Sequence, residues 1–111
     1  MEGNKVFKLA VNAMVNTSIE AIDLARLKFA DINWLIPHQA NMRIISAIGS
    51  RLGLSDDKVI SNLYKLGNTS AASIGLALDE AVRSGKVKKG DILLLTAFGG
   101  GMTWGSTVLR W

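Results

Sequence analysis

The sequence contains no cysteine, one proline and one histidine among its 111 residues. The lack of cysteine excludes a disulfide framework, a thiolate zinc site and a cysteine nucleophile supplied by this chain. Aromatic residues are also few, with three Phe, three Trp and one Tyr. Because proteins that bind single-stranded nucleic acid combine basic grooves with aromatic side chains, this scarcity argues against nucleic-acid binding.

The composition is that of one globular domain. Apolar residues make up 49% of the chain and charged residues 20%, which excludes a disordered tail. The net charge of +4 favours an acidic partner. No apolar stretch approaches the roughly 20 residues of a membrane-spanning helix, and the start of the sequence does not resemble a signal peptide. We therefore expect a cytoplasmic protein with no membrane partner.

Hydrophobic periodicity predicts helices that alternate with strands. The asparagine, threonine and serine at 16–18 could cap a second helix within the first helical segment. The predicted elements, in chain order, are a helix over 5–29, a strand over 32–37, a helix over 39–52, a weak strand over 58–63, a helix over 70–84 and strands over 91–98 and 103–111. This order predicts an α/β fold in which a mostly parallel mixed sheet has helices packed on its faces and ends in an antiparallel strand.

Three polar or glycine-rich segments follow predicted strands and should meet at one edge of the sheet. They are His38 after the first strand, Asn68 in a glycine–asparagine turn, and the glycines at 99–101 after the strand over 91–98. Each also has a purely structural explanation as a turn or cap. Together, however, imidazole and amide N–H groups suit the stabilisation of a developing oxyanion or enolate. Neither side chain is a good nucleophile, and Ser46, Ser70 and Ser73 are weak candidates because no acid is obviously paired with His38.

Three motifs carry a family resemblance. The sequences PHQAN at 37–41, GNTSAAS at 67–73 and FGGGMTWGSTVLRW at 98–111 closely resemble the C-terminal half of the β-ketoacyl-acyl-carrier-protein synthase III family. These enzymes are thiolase-like condensing enzymes. The resemblance extends over essentially the whole chain, and it implies a thiolase-like half-domain in which residues 1–111 form the C-terminal part of a longer protein.

The resemblance also implies a mechanism. His38 and Asn68 match the family's histidine and asparagine, which complete a Cys-His-Asn triad. The cysteine accepts an acyl group from acyl-CoA, and the two donors stabilise the enolate formed when malonyl-acyl-carrier-protein loses carbon dioxide. The substrates are therefore an acyl-CoA and malonyl-acyl-carrier-protein, with no cofactor and no metal.

Further residues match positions that bind substrate or partner in the family. Phe98, Gly99 and Gly100 resemble the segment that borders the active site and shapes the acyl pocket. Asn41 resembles a residue near the pantetheine tunnel. Arg43 resembles an arginine that helps to dock the acidic acyl carrier protein, in agreement with the net charge.

The missing cysteine departs from the family pattern, because that cysteine lies in the family's N-terminal half. The chain is therefore expected to need the N-terminal half of the same enzyme, to be inactive alone, and to belong to a homodimer. The apolar composition predicts surfaces that self-associate or pair with that half. The alternative is a non-catalytic thiolase-like domain that binds an acyl carrier protein or a partner half.

Overall fold

A mixed sheet lies at the centre of the computed structural model, which describes residues 2–38, 41–61, 73–99 and 103–111. Its strands are β1 (Trp34–Pro37), β2 (Ile92–Gly99) and β3 (Thr103–Arg110), in the spatial order β1-β2-β3. β1 and β2 are parallel, whereas β2 and β3 are antiparallel. The α/β fold with a mixed sheet and an antiparallel last strand is thus confirmed.

Three helices accompany the described part of the sheet, namely α1 (Glu2–Leu24), α2 (Met42–Arg51) and α3 (Ser73–Arg83). Two short 3-10 turns occur at Phe29–Asp31 and Asp56–Lys58. Of the weak strand predicted over 58–63, the described residues 58–61 form one parallel bridge, between Val59 and Leu35, and residues 62 and 63 lie outside the described residues. This bridge lies on the β1 side of the sheet, where the N–H of Ile60 also donates to the carbonyl of Leu35 at 2.9 Å.

The apolar core divides into two clusters, one on each face of the sheet. The alternation of side chains along β2 sends Leu94 to one face and Leu93 to the other, and both are fully buried. The cluster around Leu94 contains residues of α1 and α2, and the cluster around Leu93 contains residues of α3. Because both faces of β2 are covered, its sequence is a continuous apolar run rather than an alternating one.

The first helix differs from its prediction in two ways. It runs without a break through Thr17 and Ser18, so these residues do not cap a second helix. Their hydroxyls instead bond back to carbonyls of the preceding turn, Thr17 to Ala13 at 3.0 Å and Ser18 to Met14 at 2.6 Å. The helix also ends at Leu24 rather than at residue 29.

All three described helices end in the same backbone motif. At the end of α1 the N–H of Leu27 bonds to the carbonyl of Ile22, and the N–H of Arg26 bonds to that of Asp23. This 6→1 and 5→2 pair is the Schellman motif, which requires a left-handed residue after the helix. Gly53 and Gly85 fill that place after α2 and α3 as their sequences predict, but Arg26 fills it after α1 with φ of 57°.

The helix predicted over 70–84 is described from residue 73 onwards, as α3. In the described part, α3 buries Ala77 and Ala81 against the sheet. Its opposite face carries the exposed residues Gly75 and Leu76. Within this chain the helix is therefore covered on one side, and residues 70–72 lie outside the described residues. No described helix is long and apolar enough to cross a membrane.

Candidate active site

The parallel pairing of β1 and β2 brings two of the predicted site segments to one edge of the sheet. His38 directly follows β1, and Gly99 is the last residue of β2. The backbone N–H of His38 donates to the carbonyl of Thr96 at 2.8 Å, which extends the strand pairing by one residue. The two strand ends therefore occupy neighbouring places at the edge where parallel sheets carry functional groups.

His38 is half-buried, and this burial lowers the pKa of its imidazole below the ordinary value of 6.5. The ring is therefore neutral near pH 7 and offers one N–H donor and one acceptor nitrogen. Because the folded chain binds this proton less tightly than the unfolded chain does, protonation of His38 destabilises the fold as the pH falls below 6.5. A neutral donor at this place suits the stabilisation of an oxyanion.

An aromatic pair lies at the same edge. Phe98 of β2 is directly opposite Trp104 of β3, and their rings stack with centroids 6.0 Å apart and an interplanar angle of 8°. Phe98 is partly buried against the core cluster, whereas Trp104 is 47% exposed. Trp104 is not among the residues that the sequence predicts for the site. The signal in the sequence that could have indicated Trp104 is the alternating strand after the glycine run. An antiparallel strand that returns at this point pairs residue 104 with residue 98.

Asn41 has a structural task at the start of α2. It is the N-cap residue, and its side-chain oxygen accepts the backbone N–H of Ile44 at 3.0 Å. This bond satisfies one of the unpaired N–H groups at the helix start. The family resemblance placed Asn41 near a substrate tunnel, so a variant must separate capping from any contact with substrate.

We expect Asn41→Ala to lower the free energy of unfolding by about 1 kcal/mol, because alanine cannot accept the N–H of Ile44. Asn41→Ser retains a side-chain oxygen and should stay close to the original stability. Urea denaturation of the chain followed by circular dichroism measures both. Equal losses for the alanine and serine variants would show that the cap does not stabilise α2.

Arg43 lies on the exposed side of α2 and reaches towards α1. Its guanidinium carbon is 4.8 Å from the centre of the Phe7 ring, within cation–π range. The guanidinium of Arg51 on the same helix donates a hydrogen bond to the side-chain oxygen of Asn12. Lys5 and Lys8 are exposed on α1. The neighbouring surfaces of α1 and α2 therefore carry positive charge.

Most of the other predicted site residues cannot be placed from the described part of the chain. Asn68, Gly100 and Ser70 lie outside the described residues, as does the side chain of Ser73. Ser46 is described and exposed on α2. Among residues 2–38, 41–61, 73–99 and 103–111, no three His, Asp or Glu side chains are grouped to hold a metal ion.

Comparison with known proteins agrees with this fold. The family model described as "3-Oxoacyl-[acyl-carrier-protein (ACP)] synthase III C terminal" matches residues 22–111. The chain is 57% identical over 111 residues to the beta-ketoacyl-[acyl-carrier-protein] synthase III of Caldanaerobacter subterraneus subsp. tengcongensis, covering all of this chain and 34% of that protein. It is 55% identical over 111 residues to the protein of the same name from Clostridioides difficile, again covering 34% of it.

Solved structures show the same relationship. The 3-oxoacyl-[acyl-carrier-protein] synthase III of Aquifex aeolicus matches all of this chain with a TM-score of 0.97 and 49% identity, over 36% of that structure. The synthase III of Thermus thermophilus matches with a TM-score of 0.95 and 50% identity, over 35% of its chain. The present chain thus spans about a third of the length of its relatives. With its thiolase-like half-sheet and its family match over residues 22–111, the chain belongs to the 3-oxoacyl-[acyl-carrier-protein] synthase III C-terminal family.

Proposed function

We propose that this chain is the C-terminal part of a 3-oxoacyl-acyl-carrier-protein synthase III. The whole enzyme would condense a short acyl-CoA primer with malonyl-acyl-carrier-protein to start fatty acid synthesis. The observation that carries this proposal is the place of His38, which follows β1 beside the carbonyl of Thr96, at the edge where β2 ends in Phe98 and Gly99. The similarity to synthases of this name over the full length of the chain supports it.

The neutral imidazole of His38 explains how this edge could serve the condensation. When the malonyl thioester loses carbon dioxide, the electron pair of the broken C–C bond forms an enolate whose charge lies on the thioester oxygen. N–H donors from His38 and Asn68 would stabilise that oxygen. The enolate carbon then attacks the acyl thioester on a cysteine, a C–C bond forms, and the cysteine thiolate leaves. This chain has no cysteine, so the nucleophile must come from another part of the enzyme.

The direct test is the full-length protein with acetyl-CoA and malonyl-acyl-carrier-protein. We expect a 3-oxoacyl-acyl-carrier-protein product and release of carbon dioxide from the full-length protein, and neither from residues 1–111 alone. Turnover by the isolated chain would contradict its dependence on an external cysteine. A full-length protein that binds the carrier protein without any condensation would instead favour a non-catalytic thiolase-like binding domain.

Arg43 is proposed to contact the acidic acyl carrier protein from the positive surface of α1 and α2. We expect Arg43→Ala in the full-length enzyme to raise the KM for malonyl-acyl-carrier-protein about fivefold to tenfold and to leave the KM for acyl-CoA unchanged, because a rim charge acts mainly on encounter with the charged partner. Arg83→Ala is the matched control, since Arg83 is an exposed arginine on α3 paired with Asp79. Equal effects of the two substitutions would exclude a docking role.

The proposal includes a cytoplasmic homodimer in which this chain packs against the N-terminal half. Apolar side chains that the described chain leaves exposed support such contacts, among them Val6, Leu9 and Leu76. We expect residues 1–111 alone to self-associate in a concentration-dependent way, and the full-length protein to be a dimer. Light scattering measures both masses. A monodisperse monomer of the isolated chain at all concentrations would show that these side chains do not form an interface.

A further inference from the structure

Three hydroxyl groups form a hydrogen-bonded series, here called the hydroxyl chain, that connects α1 to β2 and β3. The hydroxyl of Ser106 on β3 is 2.6 Å from that of Thr17 and 2.7 Å from that of Thr96 on β2. Ser18 lies next to the chain, 3.3 Å from Ser106. The hydroxyl of Thr96 in turn donates to the carbonyl of Met14 at 3.3 Å, so both ends of the hydroxyl chain are on α1.

The hydrogen atoms can be assigned because each hydroxyl has a single proton. Ser106 donates to Thr96, and Thr96 donates to the carbonyl of Met14. The short contact between Ser106 and Thr17 then draws on the proton of Thr17, which is shared between Ser106 and the carbonyl of Ala13. The result is one directional sequence of donors, from Thr17 to Ser106 to Thr96 and back to the helix.

Burial makes this arrangement costly unless it is complete. Thr96 is 1% exposed, and a hydroxyl at that depth needs a partner in the protein. Valine has nearly the shape of threonine, so filling the space alone would not require a hydroxyl at this position. Unlike apolar contacts, hydrogen bonds are directional. The hydroxyl chain therefore fixes the distances between α1, β2 and β3 and the rotamers of the side chains that join them.

Thr96 also contacts the backbone of His38. Its carbonyl accepts the N–H of His38 at 2.8 Å, while its side chain is held by Ser106 and Met14. On the same face of the sheet, Phe98 follows Thr96 by two residues, and Trp104 precedes Ser106 by two. The pair Thr96–Ser106 of the hydroxyl chain is therefore two residues along the strands from the aromatic pair. The backbone of Thr96 is hydrogen-bonded to that of His38.

We propose that the hydroxyl chain Thr17–Ser106–Thr96 is a positioning device that holds the backbone of His38 in place relative to α1. Thr96 and Ser106 are positioning residues in this proposal, since they act through the strand ends and not on substrate. What the positioned His38 does rests on the function proposed above. That His38 is positioned can be tested on residues 1–111 without any assay of activity.

The test compares two substitutions at one position by amide hydrogen exchange. Thr96→Val retains the shape and removes the hydroxyl, whereas Thr96→Ser retains the hydroxyl and removes a methyl group. We expect Thr96→Val to accelerate exchange of the His38 amide about fivefold to tenfold more than exchange of the Ile60 amide, and Thr96→Ser to have less than about a twofold differential effect. The amide of Ile60 is the internal reference, because it bonds to Leu35 on the opposite side of β1.

Thr107→Val is the matched control, since Thr107 is exposed on β3 beside Ser106. If Thr96→Val does not fold, Ser106→Ala interrupts the same chain from the other strand and should give the same pattern. Equal acceleration of the His38 and Ile60 amides would mean only a general loss of stability and would overturn the proposal. An unchanged His38 amide in a folded Thr96→Val chain would overturn it as well.

In the full-length enzyme, we expect Thr96→Val to lower kcat for malonyl decarboxylation about tenfold, with KM for malonyl-acyl-carrier-protein within about twofold of the original and with recovery in Thr96→Ser. If the full-length protein has no condensing activity while the exchange result holds, the proposed function fails and the positioning of His38 stands. If activity exists and Thr96→Val leaves kcat unchanged, the positioning has no part in the reaction and the proposal is wrong.

Discussion

Replacing His38 by alanine in the full-length enzyme is expected to slow malonyl decarboxylation by about 10²–10³-fold, because one preorganised donor to the developing enolate oxygen is lost. The geometry that supports this is the half-buried ring at the carboxyl end of β1, whose lowered pKa keeps it neutral. Release of carbon dioxide from malonyl-acyl-carrier-protein measures the step without requiring the acyl transfer to the cysteine.

Asn68→Ala should cause a loss of similar size, since the amide is the second proposed donor to the same oxygen. The double variant is expected to lose less than the product of the two single losses, because groups that act as a unit are not additive. Asn68→Asp should not recover activity, since a carboxylate places negative charge beside the enolate. A recovered rate in that variant would mean that Asn68 does not donate to the enolate.

Ser46→Ala is the control for both residues. Ser46 is exposed on α2 and is one of the weak hydroxyl candidates for a nucleophile supplied by this chain. We expect its rate to be unchanged. Rates near the original for His38→Ala and Asn68→Ala together would remove both residues from the mechanism, and a large loss for Ser46→Ala would assign the nucleophile to this chain.

The sheet could be predicted from the sequence because local patterns decide it. A short apolar run ending in Pro37 and a longer one over 92–98 each suit a buried strand, and their pairing follows from the helices between them. The edge on which His38 and Gly99 meet was a consequence of that parallel pairing. The identity of the family came from three motifs and not from the physical pattern.

The end of the first helix could not be predicted in the same way. Gly53 and Gly85 predict the Schellman motifs after α2 and α3, because glycine adopts a left-handed backbone without steric cost. Arg26 adopts the same left-handed conformation after α1 at a steric cost, and arginine is not a residue type that predicts such a conformation. The tertiary contact of Leu27 with the core cluster decides the position of the turn, and no local signal records it.

The role of the Thr17 and Ser18 hydroxyls could not be predicted for a related reason. Serine and threonine favour helix caps, but in the interior of a helix they can bond back to the preceding turn. Their partner Ser106 lies 89 residues from Thr17 in the sequence, so the choice between the two roles depends on a contact that only the fold creates. Trp104 is a different case, because its pairing with Phe98 follows from a return strand that the sequence does predict.

Leu94→Ala is expected to destabilise residues 1–111 by about 3–5 kcal/mol. Leu94 is 0% exposed in the central strand, where it lies between Leu35 on β1 and Val108 on β3. Its removal leaves a cavity in the cluster that joins the sheet to α1 and α2, and the strands on both sides limit how far the structure can collapse into it. Urea denaturation measures the loss as a lower midpoint at an unchanged slope.

Leu24→Ala is the matched control because it removes the same atoms from a side chain that is 85% exposed at the end of α1. Its effect should stay within about 0.5 kcal/mol. The comparison separates the effect of burial from the effect of removing the same atoms at an exposed position. A Leu94→Ala chain within about 1 kcal/mol of Leu24→Ala would mean that the central strand is not packed as described. The places of His38 and Thr96, which depend on that strand, would then have to be reconsidered.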